Sequence, residues 1–396
     1  MEKVKVEHLT KIFGGHNKQV RSMIEAGKSK AEILKATGST VGVSDISFNV
    51  QSGEIFVIMG LSGSGKSTLI RMINRLIEPT SGRITIDGED LTQLDKKQLR
   101  EVRRHKMSMV FQQFALFPQR TILDNAAYGL EIQGVGKDER YAKANKALDR
   151  VGLNGYADQY PDQLSGGMQQ RVGLARALAN DADILLMDEA FSALDPLNRK
   201  DMQDELLELQ ADLHKTIIFI SHDLNEALRI GNRIMIMRDG QLVQIGTPEE
   251  ILTAPANDYV ERFIEDVDRT KVITVGSVMI RPYTVNIETD GPRLALRRMR
   301  ANEVSTLFVT NNQRELVGFI EARDTIKLIA DDKDRSVRSI RTIVNPDVQT
   351  TTAETPLNDI IDEISSISAP LGVLDDKKRL IGVVIRGAVL AAIAGD

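Results

Sequence analysis

An α/β fold built on a largely parallel sheet, followed by two small β-α-β-β-α units, is predicted from three observations. Strand-patterned and helix-patterned segments alternate through about residue 268, as they do in α/β sandwiches. One junction, residues 54–76, runs from an apolar strand through a glycine-rich loop straight into a helix, which is the context a phosphate-binding loop requires. From about residue 269 one plan occurs twice at a period of roughly 60 residues, which points to paired units that bury their sheets together.

Residues 4–9 alternate as a strand that ends near Phe13. Residues 14 to about 40 instead place Val20, Met23, Ile24, Ala31, Ile33 and Leu34 at near-helical spacing, broken by Gly27 and Gly38, and predict a short helical insertion. Strand pattern resumes over 41–50. Residues 54–59 form a buried strand, and residues 68–76 a helix after the glycine loop. Further on come a strand at 106–111, helices within 122–152, a helix at 169–180 and a buried strand at 183–188. A helix at 198–213, a strand at 216–221 and a hairpin of 233–237 with 241–245 follow. The first repeat opens at 278–282 and continues as helix 294–300, strand 305–310, strand 316–320 and a helix. The second opens at 343–346 and continues as helix 357–364, strand 369–374, strand 380–385 and a helix.

Composition narrows the function classes. A chain of 396 residues suits two or three domains. With aromatics at 4% and no Trp, the cores must be built from Leu, Ile, Val, Met and Ala. The net charge of −5 gives no reason to propose nucleic acid as a partner. The absence of Cys excludes disulfides and thiolate metal sites and suits a reducing compartment. The N-terminal segment has no apolar signal core. Apolar runs such as 184–187 fall far short of the roughly 20 residues a membrane helix needs. Work at a membrane therefore calls for another chain to do the spanning.

Gly60, Gly65, Lys66 and Ser67 fit the spacing G-x-x-x-x-G-K-[ST]. Small residues let successive backbone N–H groups turn inward around a polyphosphate, and the helix that follows aims its positive end at the same anion. Lys66 can neutralise β- and γ-phosphate charge, and Ser67 can place its hydroxyl on Mg²⁺. A second acidic station closes the apolar strand 184–188. Asp188 suits the Mg²⁺ side, directly or through a water. Glu189 turns the other way by strand alternation and is placed to polarise an attacking water. Residues 164–171, LSGGMQQR, then offer a hydroxyl and bare backbone N–H groups from Ser165, Gly166 and Gly167 at a helix start, which makes a second anion cradle.

With this last motif, residues 1 to about 265 resemble the ATP-binding cassette (ABC) ATPases. The resemblance implies an ABC-type phosphate-loop fold spanning 1–268, with the insertion at about 14–40 and a helical subdomain at about 113–175. It implies ATP and Mg²⁺ as ligands. Phe13 matches the aromatic that stacks on adenine. Gly60, Ser62, Gly63, Ser64, Gly65, Lys66, Ser67 and Thr68 match the phosphate loop. Ser67, Gln112 and Asp188 match the Mg²⁺ side. Ser165, Gly166, Gly167 and Met168 match the signature, Asp195 the loop that spans the dimer interface, and His222 the switch histidine. Glu189, His222, Lys66 and Gln112 are the implied catalytic set. In the family two subunits pair head to tail, so that each ATP lies between one chain's phosphate loop and the other's signature. Integral membrane permease subunits and a substrate-binding domain are other chains, and the ATPase sits at the cytoplasmic face of the membrane.

Residues 269–396, with repeats at about 271–332 and 338–396, resemble a tandem pair of cystathionine-β-synthase-type (CBS) domains, which commonly bind regulatory adenine nucleotides. A cassette with both the insertion and a CBS pair resembles the ATPases of glycine betaine and proline betaine importers that respond to osmotic stress. The competing expectations are an importer for an amino acid or polyamine and a non-transport ABC ATPase. Two basic stretches each leave two readings open. Residues 96–106 are either a contact for anionic lipid, and so an ionic-strength sensor, or a solvated helix face. Lys333, Arg335 and Arg338 either hold the phosphates of a nucleotide such as cyclic di-AMP or belong to a solvated linker.

Overall fold

The computed structural model describes residues 1–394 other than 113, 266, 268, 269, 271, 333–338, 367 and 368. The chain divides into two compact units, Met1–Val267 and Asp268–Asp396. Among the described residues no helix is long and apolar enough to cross a membrane.

The first unit holds strands β1 (Glu2–Phe13), β2 (Thr40–Gln51), β3 (Ile55–Met59), β4 (Ser81–Ile86), β5 (Glu89–Asp90), β6 (Met107–Val110), β7 (Ile184–Asp188), β8 (Thr216–Ser221), β9 (Arg233–Arg238) and β10 (Gln241–Gly246). Its helices are α1 (Asn17–Glu25), α2 (Lys30–Thr37), α3 (Lys66–Ile73), α4 (Lys96–His105), α5 (Ile122–Gln133), α6 (Lys137–Arg150), α7 (Gly166–Ala179), α8 (Pro196–Leu213), α9 (Leu224–Ile230), α10 (Pro248–Thr253) and α11 (Asp258–Ile264). A four-stranded antiparallel sheet has the order β2-β1-β4-β5, and a six-stranded sheet the order β10-β9-β3-β8-β7-β6. In the larger sheet every pairing is parallel except β10 with β9. Strands β3, β7 and β8 are buried along their whole length. That is why they read as unbroken apolar runs rather than alternating ones.

One apolar core joins the two sheets through α3. Val4, Val6, Ile46 and Phe48 of the small sheet, Leu69, Ile70 and Ile73 of α3, and Phe56, Leu186 and Ile218 of the large sheet belong to it. Each such side chain, fully buried, contributes about 1.5–3 kcal/mol. This core fixes α3, and with it the phosphate loop, against the large sheet.

Three helices start earlier than their apolar periodicity suggests. α3 begins at Lys66, α7 at Gly166 behind the Ser165 cap and α8 at Pro196 behind the Asp195 cap. In α7 and α8 a side-chain cap, rather than the apolar pattern, sets the first helical residue.

The insertion forms α1 and α2, and β1 pairs with β2 up to Phe13↔Thr40, so the chain leaves and returns at one point. Val20 of α1 and Ile33 of α2 pack with Ile12 and Val41 of the two strands, and Met23 and Ile24 lie against them. Ala31 and Leu34, expected on the same apolar stripe, are exposed. The helical pair buries only a narrow seam. A capping box fixes the start of α2: Ser29 Oγ accepts from the Glu32 N–H, and the Glu32 carboxylate accepts from the Ser29 N–H at 2.8 Å. The Ser29 backbone and side-chain donors, with Lys28, pull the Glu32 carboxyl down to about 2.

In the second unit α12 (Val275–Val278) precedes β11 (Thr284–Asn286), α13 (Pro292–Ala301), β12 (Thr306–Thr310), β13 (Leu316–Glu321) and α14 (Ala322–Asp331). Then come β14 (Thr350–Thr352), α15 (Leu357–Ser366), β15 (Leu371–Leu374), β16 (Leu380–Val384) and α16 (Arg386–Ala394). The two three-stranded sheets have the orders β11-β12-β13 and β14-β15-β16. Their lead-in segments are exchanged. Ile273 and Val275 lie in the core of the second sheet with Leu357, Val373 and Val384, while Ile340 lies in the core of the first with Val285, Leu307 and Ile320. The segment 278–282, read as the opening of the first repeat, therefore serves the second: Ile280 and Val383 exchange backbone hydrogen bonds of 2.9 and 3.0 Å. Phe319 and Asn345 do the same in the other direction, both at 2.9 Å.

The exchange explains the repeated glycine of strands β13 and β16. A Cβ on Gly318 would stand 2.4 Å from the Asn345 carbonyl oxygen, and one on Gly382 would stand 2.4 Å from Met279 Sδ. Overpacking of this kind costs about 1–3 kcal/mol. Gly318→Ala is expected to destabilise the second unit by at least that much, because it meets backbone. Gly382→Ala is expected to cost less, because the Met279 side chain can turn away. Urea unfolding of the full chain checks the ranking, and equal losses would contradict it.

Candidate functional site

The parallel order β3-β8-β7-β6 sets the C-terminal ends of four strands side by side, where ligands of α/β sheets bind. After β3 the chain enters the loop 60–65 and then α3. Gly60 has φ +147° and Gly65 φ +104°. A Cβ on Gly60 would lie 2.3 Å from the Met237 carbonyl oxygen, and one on Gly65 would lie 2.4 Å from that of Gly42. Only glycine fits at either position, and the backbone stays bare toward the cavity. This is the cradle a polyphosphate needs.

The cavity measures about 720 Å³ and is lined by Phe13, Ser62, Gly63, Gly65, Lys66, Ser67, Thr68, Glu189 and His222, all anticipated from sequence. Lys30, Thr40, Val41, Gly42 and Leu61 line it as well. Sequence reading missed these five, and the pairing of β1 with β2 is what brings Lys30, Thr40, Val41 and Gly42 there. The same pairing keeps Phe13 at the site despite the 26 residues between it and Thr40. A Cβ on Gly42 would come 2.8 Å from the Phe13 ring and 3.3 Å from Thr68 Cγ2, so Phe13, Gly42 and Thr68 form one wall.

Lys66 is buried, and its ammonium donates to the carbonyls of Gly60 at 2.8 Å and Leu61 at 3.3 Å. Burial holds its pKa below the usual range, and the Glu189 and Asp188 carboxylates offset that only in part. Ser64 is also buried, and its hydroxyl has no hydrogen-bond partner. Ser67 Oγ donates to Asp188 Oδ1 at 3.0 Å, and Arg71 reaches the other oxygen at 3.4 Å. A hydroxyl beside a buried carboxylate offers two hard oxygen donors, which suits Mg²⁺ completed by phosphate and water. Ser67 and Asp188 would hold the ion there.

Glu189 does not follow strand alternation. β7 ends at Asp188, and Glu189 takes a left-handed backbone with φ +48°. Its carboxylate consequently faces the cavity. Oε2 accepts from Gln112 Nε2 at 3.1 Å and lies 3.6 Å from His222 Nδ1, while Oε1 lies 4.0 Å from Lys66 Nζ. Gln112, expected at the metal, gives its amide to Glu189 in this structure. Behind the exposed His222, Ser221 Oγ donates to the buried Glu226 carboxylate, which also accepts from Gln203 at 3.0 Å. Burial raises the Glu226 pKa, and these two donors oppose the rise.

Ser165, Gly166, Gly167, Met168 and Asp195 do not line this cavity. Ser165 caps α7 through the Met168 N–H at 3.4 Å. Asp195 caps α8 through Asn198, whose side-chain and backbone donors hold the Asp195 pKa low. Gly167 lies beside Asn198, so the two stations adjoin each other. The cavity of a single chain therefore contains one phosphate cradle. In the basic helix α4, Arg103 is committed to the Asn74 carbonyl at 2.8 Å, Arg104 to Glu101 at 3.0 Å, and Lys106, just past the helix, to Glu89 at 3.1 Å. Lys96, Lys97 and Arg100 stay exposed. Lys333, Arg335 and Arg338 lie outside the described residues.

The ABC transporter family matches residues 43–192, and the CBS domain family matches residues 275–331 and 337–395. The chain is 62% identical over its full length to the glycine betaine/carnitine transport ATP-binding protein GbuA of Listeria monocytogenes, covering 98% of that protein. It is 59% identical over its full length to the glycine betaine transport ATP-binding protein OpuAA of Bacillus subtilis, covering 93% of it. Among solved structures, a dimeric bacterial ABC transporter cassette, MJ0796, matches 62% of this chain and 98% of its own at 33% identity with a TM-score of 0.53.

A cation whose folded pKa is depressed costs stability below its ordinary value of 10.5. Lys66→Met is therefore expected to leave the nucleotide-free melting temperature at pH 7 unchanged or higher. It is also expected to abolish the stabilisation that Mg²⁺ and ATP give the wild type, about 2.7 kcal/mol at a hundredfold excess over Kd. Thermal melts with and without nucleotide check both parts. A lower melting temperature without nucleotide, or an unaltered nucleotide shift, would contradict them.

Proposed function

The chain belongs to the ATP-binding subunits of ABC transporters that carry a tandem CBS pair, and from that premise we propose what it energises and how its residues hydrolyse ATP. The cargo is glycine betaine or a related osmoprotectant. The observation that carries this is identity to the two betaine-transport proteins over the whole chain, insertion and CBS pair included. The alternative cargo, an amino acid or polyamine, has no comparable support.

Hydrolysis is in-line attack of water on the γ-phosphate. Bound Mg²⁺ neutralises phosphate charge. Phe13 stacks on the adenine, and the bare backbone of 60–65 binds the phosphates. Lys66 exchanges the Gly60 and Leu61 carbonyls for phosphate oxygens, which returns a counter-charge to a buried cation. Glu189 orients the water and accepts its proton, and His222 hydrogen-bonds the γ-phosphate as charge develops. The Gln112 amide holds Glu189 until the site fills.

The site is completed by a second copy of the chain. In the Ser165–Met168 cradle at the start of α7, Ser165 and Gly166 are exposed and Gly167 and Met168 half-buried, and none lines the chain's own cavity, which supports a head-to-tail pair in which each cradle closes the partner's ATP. The pair works with permease subunits and a substrate-binding domain on other chains, at the cytoplasmic face of the membrane. Regulation falls to the CBS pair, with an adenine nucleotide such as cyclic di-AMP as its ligand and Lys333, Arg335 and Arg338 as its phosphate contacts. An anionic lipid contact of α4 rests on Lys96, Lys97 and Arg100, since Arg103, Arg104 and Lys106 have partners within the fold.

In the complex co-purified with its permease and reconstituted in vesicles, glycine betaine is expected to stimulate ATP hydrolysis. Glu189→Gln is expected to lower that hydrolysis by at least about a hundredfold, the contribution of a positioned base, while ATP still binds. Stimulation by an amino acid or polyamine but not by betaine would overturn the cargo. Normal turnover in the variant would overturn the role of Glu189.

A further inference from the structure

Lys30 is a cationic residue on the cavity wall that none of the recognised motifs accounts for. It is the first residue of α2, held by the Ser29–Glu32 capping box on one side and by the buried Ile33 one turn later. Its ammonium lies over a seam of glycines. A Cβ on Gly240 would stand 3.0 Å from Lys30 Nζ and 2.7 Å from the Gly42 carbonyl oxygen. That same oxygen is the one a Cβ on Gly65 would strike. The seam thus joins Lys30 to the residue at which the phosphate loop becomes α3. Burial disfavours the charged form of Lys30, and Asp239 offsets this only in part. An anion in the cavity would supply the missing counter-charge.

We propose that Lys30 is a second cationic contact for the phosphate chain of the bound nucleotide, contributed by the inserted helical pair. This rests on reading the cavity as the ATP site. The insertion then has a direct part in nucleotide affinity: any displacement of α2 moves a cation at the site, while Lys66 remains fixed on α3. A partly buried cation facing a phosphate chain is expected to change affinity by about tenfold.

Isothermal titration of the full chain with ADP and with the non-hydrolysable analogue AMP-PNP tests the proposal. Lys30→Gln is expected to weaken both ligands about tenfold at low salt, with the difference shrinking at high salt. Lys30→Arg should restore most of the loss. Lys35→Gln, an exposed position in the last turn of the same helix, should have no effect. Unchanged affinity in Lys30→Gln, or an equal loss in Lys35→Gln, overturns the contact. Lys66→Met distinguishes the two levels. If it abolishes binding while Lys30→Gln does not weaken it, the role of Lys30 alone fails. If Lys66→Met binds like the wild type, the reading of the cavity fails and the proposal with it. Thermal melts confirm that each variant is folded.

Discussion

Glu189 stands one residue past the end of β7, in a left-handed conformation that costs a non-glycine residue about 1 kcal/mol or more. Its carboxylate meets Gln112 from the end of β6, His222 from the end of β8 and Lys66 from the start of α3. Four parallel strands lying side by side are what make that meeting geometrically available. The apolar core around α3 keeps the strands and the phosphate loop in register, and β1–β2 pairing adds the Phe13 wall.

The same arrangement separates two kinds of site element. Lys66 and Ser67 from the start of α3 and Asp188, Glu189 and His222 from strand ends share one cavity or its immediate edge. Ser165–Met168 and Asp195 come from the starts of α7 and α8, adjoin each other through Asn198, and face elsewhere. A second anion cradle displayed outside the chain's own cavity is the feature on which the proposed pairing with another copy rests.

Much of the large sheet was legible because burial on both faces writes β3, β7 and β8 as continuous apolar runs, and the phosphate loop was legible because only glycine tolerates its backbone. Three features were not. The left-handed backbone at Glu189 was not foreseen, since nothing in the residues 184–189 announces such a turn after Asp188. Lys30 was hidden because it belongs to a segment whose periodicity reports its buried seam, not its charged edge. The exchange of lead-ins between the CBS repeats was invisible because an apolar residue such as Ile273 or Ile340 records that it is buried, not which sheet buries it. The repeated Gly318 and Gly382 were the available trace, as each leaves room for the other repeat's lead-in.

The claim that two chains complete each ATP site is open to direct chemical test, because the chain has no cysteine of its own. Ser62 and Ser165 are both exposed, and a chain carrying Ser62→Cys with Ser165→Cys can be treated with a short bis-maleimide in the presence of ATP under non-hydrolysing conditions. Head-to-tail pairing predicts a covalent dimer that requires ATP and both cysteines. Crosslinking that ignores ATP, or a chain that stays monomeric at saturating ATP, would contradict it.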